Sequence, residues 1–196
     1  MTAKRTKRPA KPRAARPGPP PICFDAAVQT ASGQPILRLP DEASKALPSR
    51  GQVAVSGTIN GHSFETVIEP DGVFGHWIKL DRALQEAADA EPGIGENLTV
   101  EVEPTKEWPE PSVPKDLQDA LSSAAQDIQD LWQAITPMAR WEWVRWVNAT
   151  KNPKTRARRV EVSLSKLSDG KRRPCCFNLS SCTDPELSKS GKLVVD

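Results

Sequence analysis

The chain has 196 residues, with 27 Lys and Arg against 25 Asp and Glu, six Trp, four Cys and no Tyr. That length can bury a real core in one domain or two small ones. No apolar run reaches the length of a membrane-spanning helix. Four cysteines in so long a chain do not make a disulfide framework. The basic start is followed by PGPPPICF instead of an apolar segment, so no secretory signal is visible and a cytoplasmic protein with reduced thiols is expected.

The net charge of +2 hides an asymmetry. Residues 1–21 hold Lys4, Arg5, Lys7, Arg8, Lys11, Arg13 and Arg16 and no acid, which leaves 20 basic against 25 acidic residues for the rest. A stretch of Pro, Ala, Lys and Arg has nothing to bury and reads as a disordered tail. Its plain reading is a solubilising extension. Its sharper reading is an arm for nucleic acid or another anionic surface, held by counterion release. The arm has no aromatic side chain to stack on bases, so such binding would be blind to sequence.

From Ile22 the pattern turns to period two. Phe24, Ala26 and Val28 predict a first strand, and Pro35 to Leu39 a second. Asp41 to Leu47 reads as one or two helical turns capped by Asp41. Val53, Val55, Gly57 and Ile59 make a third strand, and Phe64, Thr66 and Ile68 return as a fourth after Asn60-Gly61, a strong hairpin signal. Pro70-Asp71-Gly72 makes the next turn. Val73 to Leu80 predicts a fifth strand, Asp81 to about Ala90 a helix, and Leu98, Val100 and Val102 a sixth strand. Six short strands with tight turns predict a small closed or nearly closed β-barrel over residues 22–104.

Residues 105–113 form a stiff, proline-rich linker. Trp108 within it is expected to dock on its own protein. Pro114 opens a long helix in which Leu117, Leu121, Ala124, Ile128, Leu131 and Ile135 keep helical spacing. Thr136 and Pro137 start a second helix with Trp141, Val144 and Val147 as its buried stripe. Asn152 and Pro153 start a third, with Val160, Leu164 and Leu167 as its stripe and Gly170 as its stop. An α+β chain follows, a barrel and then a three-helix module over 114–170. Trp132, Trp141, Trp143 and Trp146 read as packing within that module. Residues 171–196 are polar and are expected to form an irregular, loosely packed tail.

Few motifs carry chemistry. His62 and His76 lie on separate strands with no ligand at metal spacing and read as surface or turn histidines. Cys175, Cys176 and Cys182 read as free thiols. No phosphate loop, nucleophile elbow or Ser–His–acid set is present, so catalysis, metal and cofactor are not predicted. The exception is the basic cluster of Lys151, Lys154, Arg156, Arg158 and Arg159 at the start of the third helix. Cations there oppose the helix dipole by about 0.3–1 kcal/mol each, so a negative neighbour is needed. That neighbour is an acidic patch of the chain itself or an outside anion. Lys151, Lys154, Arg156 and Arg159 are the candidate anion-binding residues, with Arg156 and Arg159 expected to aim at one anion.

GTINGHSF, VFGHWIKL and GIGENLTV, between Cys23 and Glu103, resemble the bacterial barrel called domain of unknown function 1905. VPKDLQDAL and RWEWVRWVNATKNPKTRARRVE, between Pro114 and Arg173, resemble the YdeI/OmpD-associated, or bacteriocin-protection, family. Lys151, Thr155, Arg156 and Arg159 fall on that family's basic motif. The first resemblance implies a double-split β-barrel. The second implies a helical region associated with resistance to bacteriocins or antimicrobial peptides. With the basic cluster, the first reading is a non-catalytic binding or stress-protection protein with an anionic ligand or acidic protein partner. The second reading is a nucleic-acid-associated protein that uses the basic tail and the basic helix start.

Overall fold

The computed structural model describes residues 20–87, 93–174, 183–184 and 186–196. Nearly all of the basic tail, the end of the helix expected to reach Ala90, and Cys175, Cys176 and Cys182 lie outside the described residues. The strands are β1 Ile22–Ala31, β2 Gln34–Arg38, β3 Val53–Ile59, β4 His62–Pro70, β5 His76–Lys79 and β6 Asn97–Pro104. They close antiparallel in the order β1-β2-β5-β4-β3-β6. β1 pairs with β6 from Ile22 to Ala27 and then with β2 from Val28 to Ala31. β4 pairs with β3 from His62 to Ile68 and with β5 through Glu69 and Pro70. Two strands are thus shared between two sheets, which makes the barrel double-split.

Period-two patterning fills the interior with Val28, Leu37, Val55, Ile59, Ile68, Ile78, Val100 and Val102. Asn60 and Gly61 both take positive φ, 48° and 84°, as a two-residue hairpin turn of this kind requires. Gly57 meets a different demand. A Cβ there would lie 1.9 Å from the Glu101 carbonyl oxygen, so β3 and β6 can approach this closely only without a side chain.

Two local expectations differ from the structure. The first short helix, α1, runs from Asp41 to Ala46 with Pro40 at its cap position, so Asp41 sits in the first turn instead of capping it. β5 is only four residues long because the chain before it is bound into a loop. The Asp71 carboxylate accepts from the Val73 and Gly75 amides, both at 2.8 Å, and from Arg38 Nη2 at 3.0 Å. Helix α2, Arg82–Ala87, follows β5.

After the linker come α3 Lys115–Ser122, α4 Gln126–Ala134, α5 Pro137–Asn148 and α6 Pro153–Ser168. The single long helix expected from Pro114 is therefore two. Ala125 takes an extended conformation, after two serines whose side chains compete for backbone hydrogen bonds. The break lets Leu117 and Leu121 of one segment and Trp132 and Ile135 of the next face one core with Trp143, Val147, Val160 and Leu167. Thr136 caps α5 by accepting from the Ala139 amide, and Asn152 caps α6 by accepting from Lys154 and Thr155. Gly170, at φ 74°, ends α6 as its amide bonds Leu167 O and that of Lys171 bonds Lys166 O.

The last described residues are not the loose tail expected. Leu187 is 2% exposed and packs with Ala31, Ile36 and Trp77. A small hairpin, β7 Ser188–Lys189 and β8 Lys192–Leu193, lies over the Gly72 turn, and Leu193 N donates to Asp71 O at 2.9 Å. Asp196 accepts from the Ser32 and Gly33 amides at 3.1 and 3.0 Å. The cause is Ile36 and Trp77, which stand on the outside of the barrel and must be covered from water.

Gly57→Ala should lower stability by about 1–3 kcal/mol, the range for forcing extra atoms into a packed site, while Gly95→Ala, whose added Cβ meets nothing within 4 Å, pays only for its positive φ of 87°. Urea denaturation of the two variants checks this, with the larger loss expected at Gly57.

Candidate functional site

The barrel and the helical module meet across a cleft whose floor is β4 and β5. Glu69 and Trp77 are direct cross-strand partners. Val67 and Lys79, two residues along their strands, share the same outer face. The opposite wall is α5, where Trp141, Val144, Arg145 and Asn148 recur at helical spacing and look at the barrel. Ala139, Trp143 and Val147 look instead into the helical core, which Val144 also joins from its edge. α5 therefore carries two buried stripes where one was expected, and Trp141 belongs to the barrel-facing one. Ser112 of the linker and Asp184 of the C-terminal segment close the cleft. Trp77 Nε1 donates to Thr183 Oγ1 at 2.8 Å, Trp141 Nε1 donates to Pro109 O at 2.7 Å, and Trp108 packs edge-on against Trp141.

At the bottom, Arg145 Nη2 meets Glu69 Oε1, and both residues are buried. Gln52 Nε2 donates to the same oxygen at 2.9 Å. Among the described residues, Glu69 Oε2 and Arg145 Nε find no hydrogen-bond partner. Burial pushes the Glu69 carboxyl above the ordinary carboxylate range, against the pull of Arg145 and Gln52, and the charge of Asp184 adds to the rise. Around this pair the cleft has an inner chamber of about 250 Å³. It continues into a wider mouth of about 730 Å³ lined by Lys79, Asn148, Lys151 and Arg156 together with the acids Asp184 and Glu186.

The four predicted anion-binding residues separate. Lys151 and Arg156 reach the mouth. Lys154 is exposed at the first turn of α6. Arg159 turns away, donating to Trp146 O at 2.7 Å with its guanidinium 5.6 Å from the Trp146 ring. Arg156 and Arg159 thus do not converge on one point. Arg156 forks onto Asp116 of α3, Nε to Oδ2 at 2.6 Å and Nη2 to Oδ1 at 2.9 Å, while Nη1 donates to Asn148 Oδ1. That hydrogen bonding holds the Asp116 carboxyl below its usual range. The negative neighbour that the dipole argument required is therefore, for Arg156, a carboxylate of the chain itself.

Lys79, Glu69 and Arg145 were missed by sequence reasoning. The signal was present: Val67 sits on the outer face of β4 amid polar residues, which marks that face as covered.

His76 corrects another expectation. It is 1% exposed, with Nε2 at 3.1 Å from Gly51 O and Nδ1 at 2.7 Å from Ser44 Oγ. The carbonyl can only accept, so Nε2 carries the proton and Ser44 donates to Nδ1. The geometry resembles a nucleophile and its base, but Ser44 is also buried and no substrate reaches it. Burial pushes the His76 pKa down. Among the described residues no three His, Cys, Asp or Glu side chains group as a metal site, and no helix is long and apolar enough to cross a membrane.

A double-split barrel whose covered face forms a cleft with a helical module defines the class. Residues 24–103 match the family model described as domain of unknown function (DUF1905). Residues 110–170 match that described as bacteriocin-protection, YdeI or OmpD-associated. The barrel thus matches the first family and the helical region that follows it matches the second. Comparison with curated proteins gave no match.

Two outcomes follow from the buried groups. Arg145→Ala should cost roughly 3–5 kcal/mol, because it leaves Glu69 charged and buried without its cation, whereas a Glu69→Met, Arg145→Met double variant should recover much of the loss in urea melts. His76, whose pKa is lowered by folding, stabilises the fold above the ordinary value of 6.5 and loses that contribution as pH falls. The melting temperature should therefore drop on acidification through that value, and His76→Gln should flatten the drop.

Proposed function

We propose that the protein is a non-catalytic binding protein of a protective kind, whose ligand presents an anionic group at the mouth of the cleft. The observation that carries this reading is the convergence of Lys79 from the barrel with Lys151 from the helical module on one cavity of about 730 Å³. Arg156 stands behind them, already neutralised by Asp116, and positions Asn148. Asp184 and Glu186 on the same rim balance the charges of Lys79 and Lys151, which favours a ligand with one anionic group over a polyanion. The family name of the helical region, bacteriocin-protection, is in keeping with a role that is fulfilled by binding.

Inorganic phosphate, titrated at constant ionic strength, should raise the melting temperature by a few degrees in the wild type, as a ligand of the native state does. Lys79→Ala and Lys151→Ala should each reduce the shift. No shift in the wild type, or an equal one in the double variant, would remove the reading.

A further inference from the structure

The inner chamber has an unmet demand of its own. Glu69 is 6% exposed and lines the chamber, yet among the described residues Oε2 has no partner while Oε1 carries both Gln52 and Arg145. A guanidinium and a carboxylate can share two parallel hydrogen bonds. Here they meet through one oxygen, so a buried acceptor is left open, and buried polar atoms are seldom left so. The chamber's charges lean the same way. Glu69, Asp81 and Asp184 line it against Lys79 and Arg145, three carboxylates to two cations. Asp184 stands close enough to Glu69 to raise its pKa, so the pair would gain from a positive neighbour. Beside Thr66, Ser112 and Asn148, the remaining walls include Val67, Val144, Trp77 and Trp141, surfaces that suit an alkyl chain and a cation beside an aromatic ring. Among the described residues the carboxylates are not grouped as for a metal ion.

We propose that the inner chamber binds the ammonium end of a small organic amine, with the carboxylates of Asp184 and Glu69 as its counter-charges and Trp77 and Trp141 as walls. This rests on the cleft being the ligand site and deepens it. Lys79, Ser112, Asn148 and Asp184 line both the chamber and the mouth, so one molecule can occupy the two together. The ligand class is then a small zwitterion, with its ammonium inside and its carboxylate or phosphate at the mouth.

The test is a titration of the full chain with n-butylammonium chloride, followed by tryptophan emission and melting temperature, against potassium chloride at the same concentrations. A saturable response to butylammonium and not to potassium is expected. Glu69→Gln and Asp184→Asn should each weaken it roughly tenfold or more. Asn at 184 keeps the side-chain oxygen that accepts from the Glu186 amide at 2.9 Å, so this variant decides the matter even if Glu69→Gln does not fold. A response no different from that to potassium, or one unchanged in Asp184→Asn, overturns the proposal. Stabilisation by phosphate without a butylammonium response overturns the inner site alone. Butylammonium binding without a phosphate response supports the inner site and overturns the reading of the mouth.

Discussion

The contact between Arg145 and Glu69 joins the two halves of the molecule. Each side chain leaves water to make it, and a buried charge is tolerated only with a partner. The barrel supplies the carboxylate from the end of β4, and the helical module supplies the guanidinium from the last turn of α5. Neither group could be buried in its own module alone. The pair therefore fixes where α5 lies on the barrel, and the position of α5 in turn decides which residues face the cleft. Trp141, Val144 and Asn148 are site residues because they share a helical face with Arg145.

The outside of the barrel divides accordingly. Over β4, β5 and β2 the outward residues are Val67, Trp77 and Ile36, covered by α5 and by the segment around Leu187. Over β3 and β6 they are the half-buried Ser56 and Thr58 and the exposed Glu101 and Glu103. The same alternation serves both halves, and only the outward residue type changes. Hydrophobic burial of roughly 25 cal/mol per Å² is enough to hold a covering segment wherever apolar area stands outside a closed barrel.

Much of the fold was legible. Strand positions followed from strict alternation, the Asn60-Gly61 hairpin from its φ requirement, and the caps of α5 and α6 from Thr136 and Asn152 each followed by proline. What failed were features that apolar spacing does not report. The break at Ala125 lies in a sequence whose apolar spacing runs on unbroken, because the spacing reports burial and not the direction of the chain. The Asp71 loop shortened β5 through side-chain acceptance of backbone amides, which propensity does not register. In the site, charge clustering led to Lys151 and Arg156 but not to Lys79, Glu69 or Arg145. Those three become neighbours only once β4, β5 and α5 are packed, so no spacing along the chain brings them together.

α5 answers to two partners at once. Its 139/143/147 face is shaped to the other helices, and its 141/144/145/148 face is shaped to the strands. A substitution on either face must be matched in a different part of the chain, and the two faces interleave along one short helix. A helix under that double obligation has little room to drift. The barrel and the helical region should accordingly be inherited as a set, and a barrel recombined with some other neighbour would lose its cleft along with its cover.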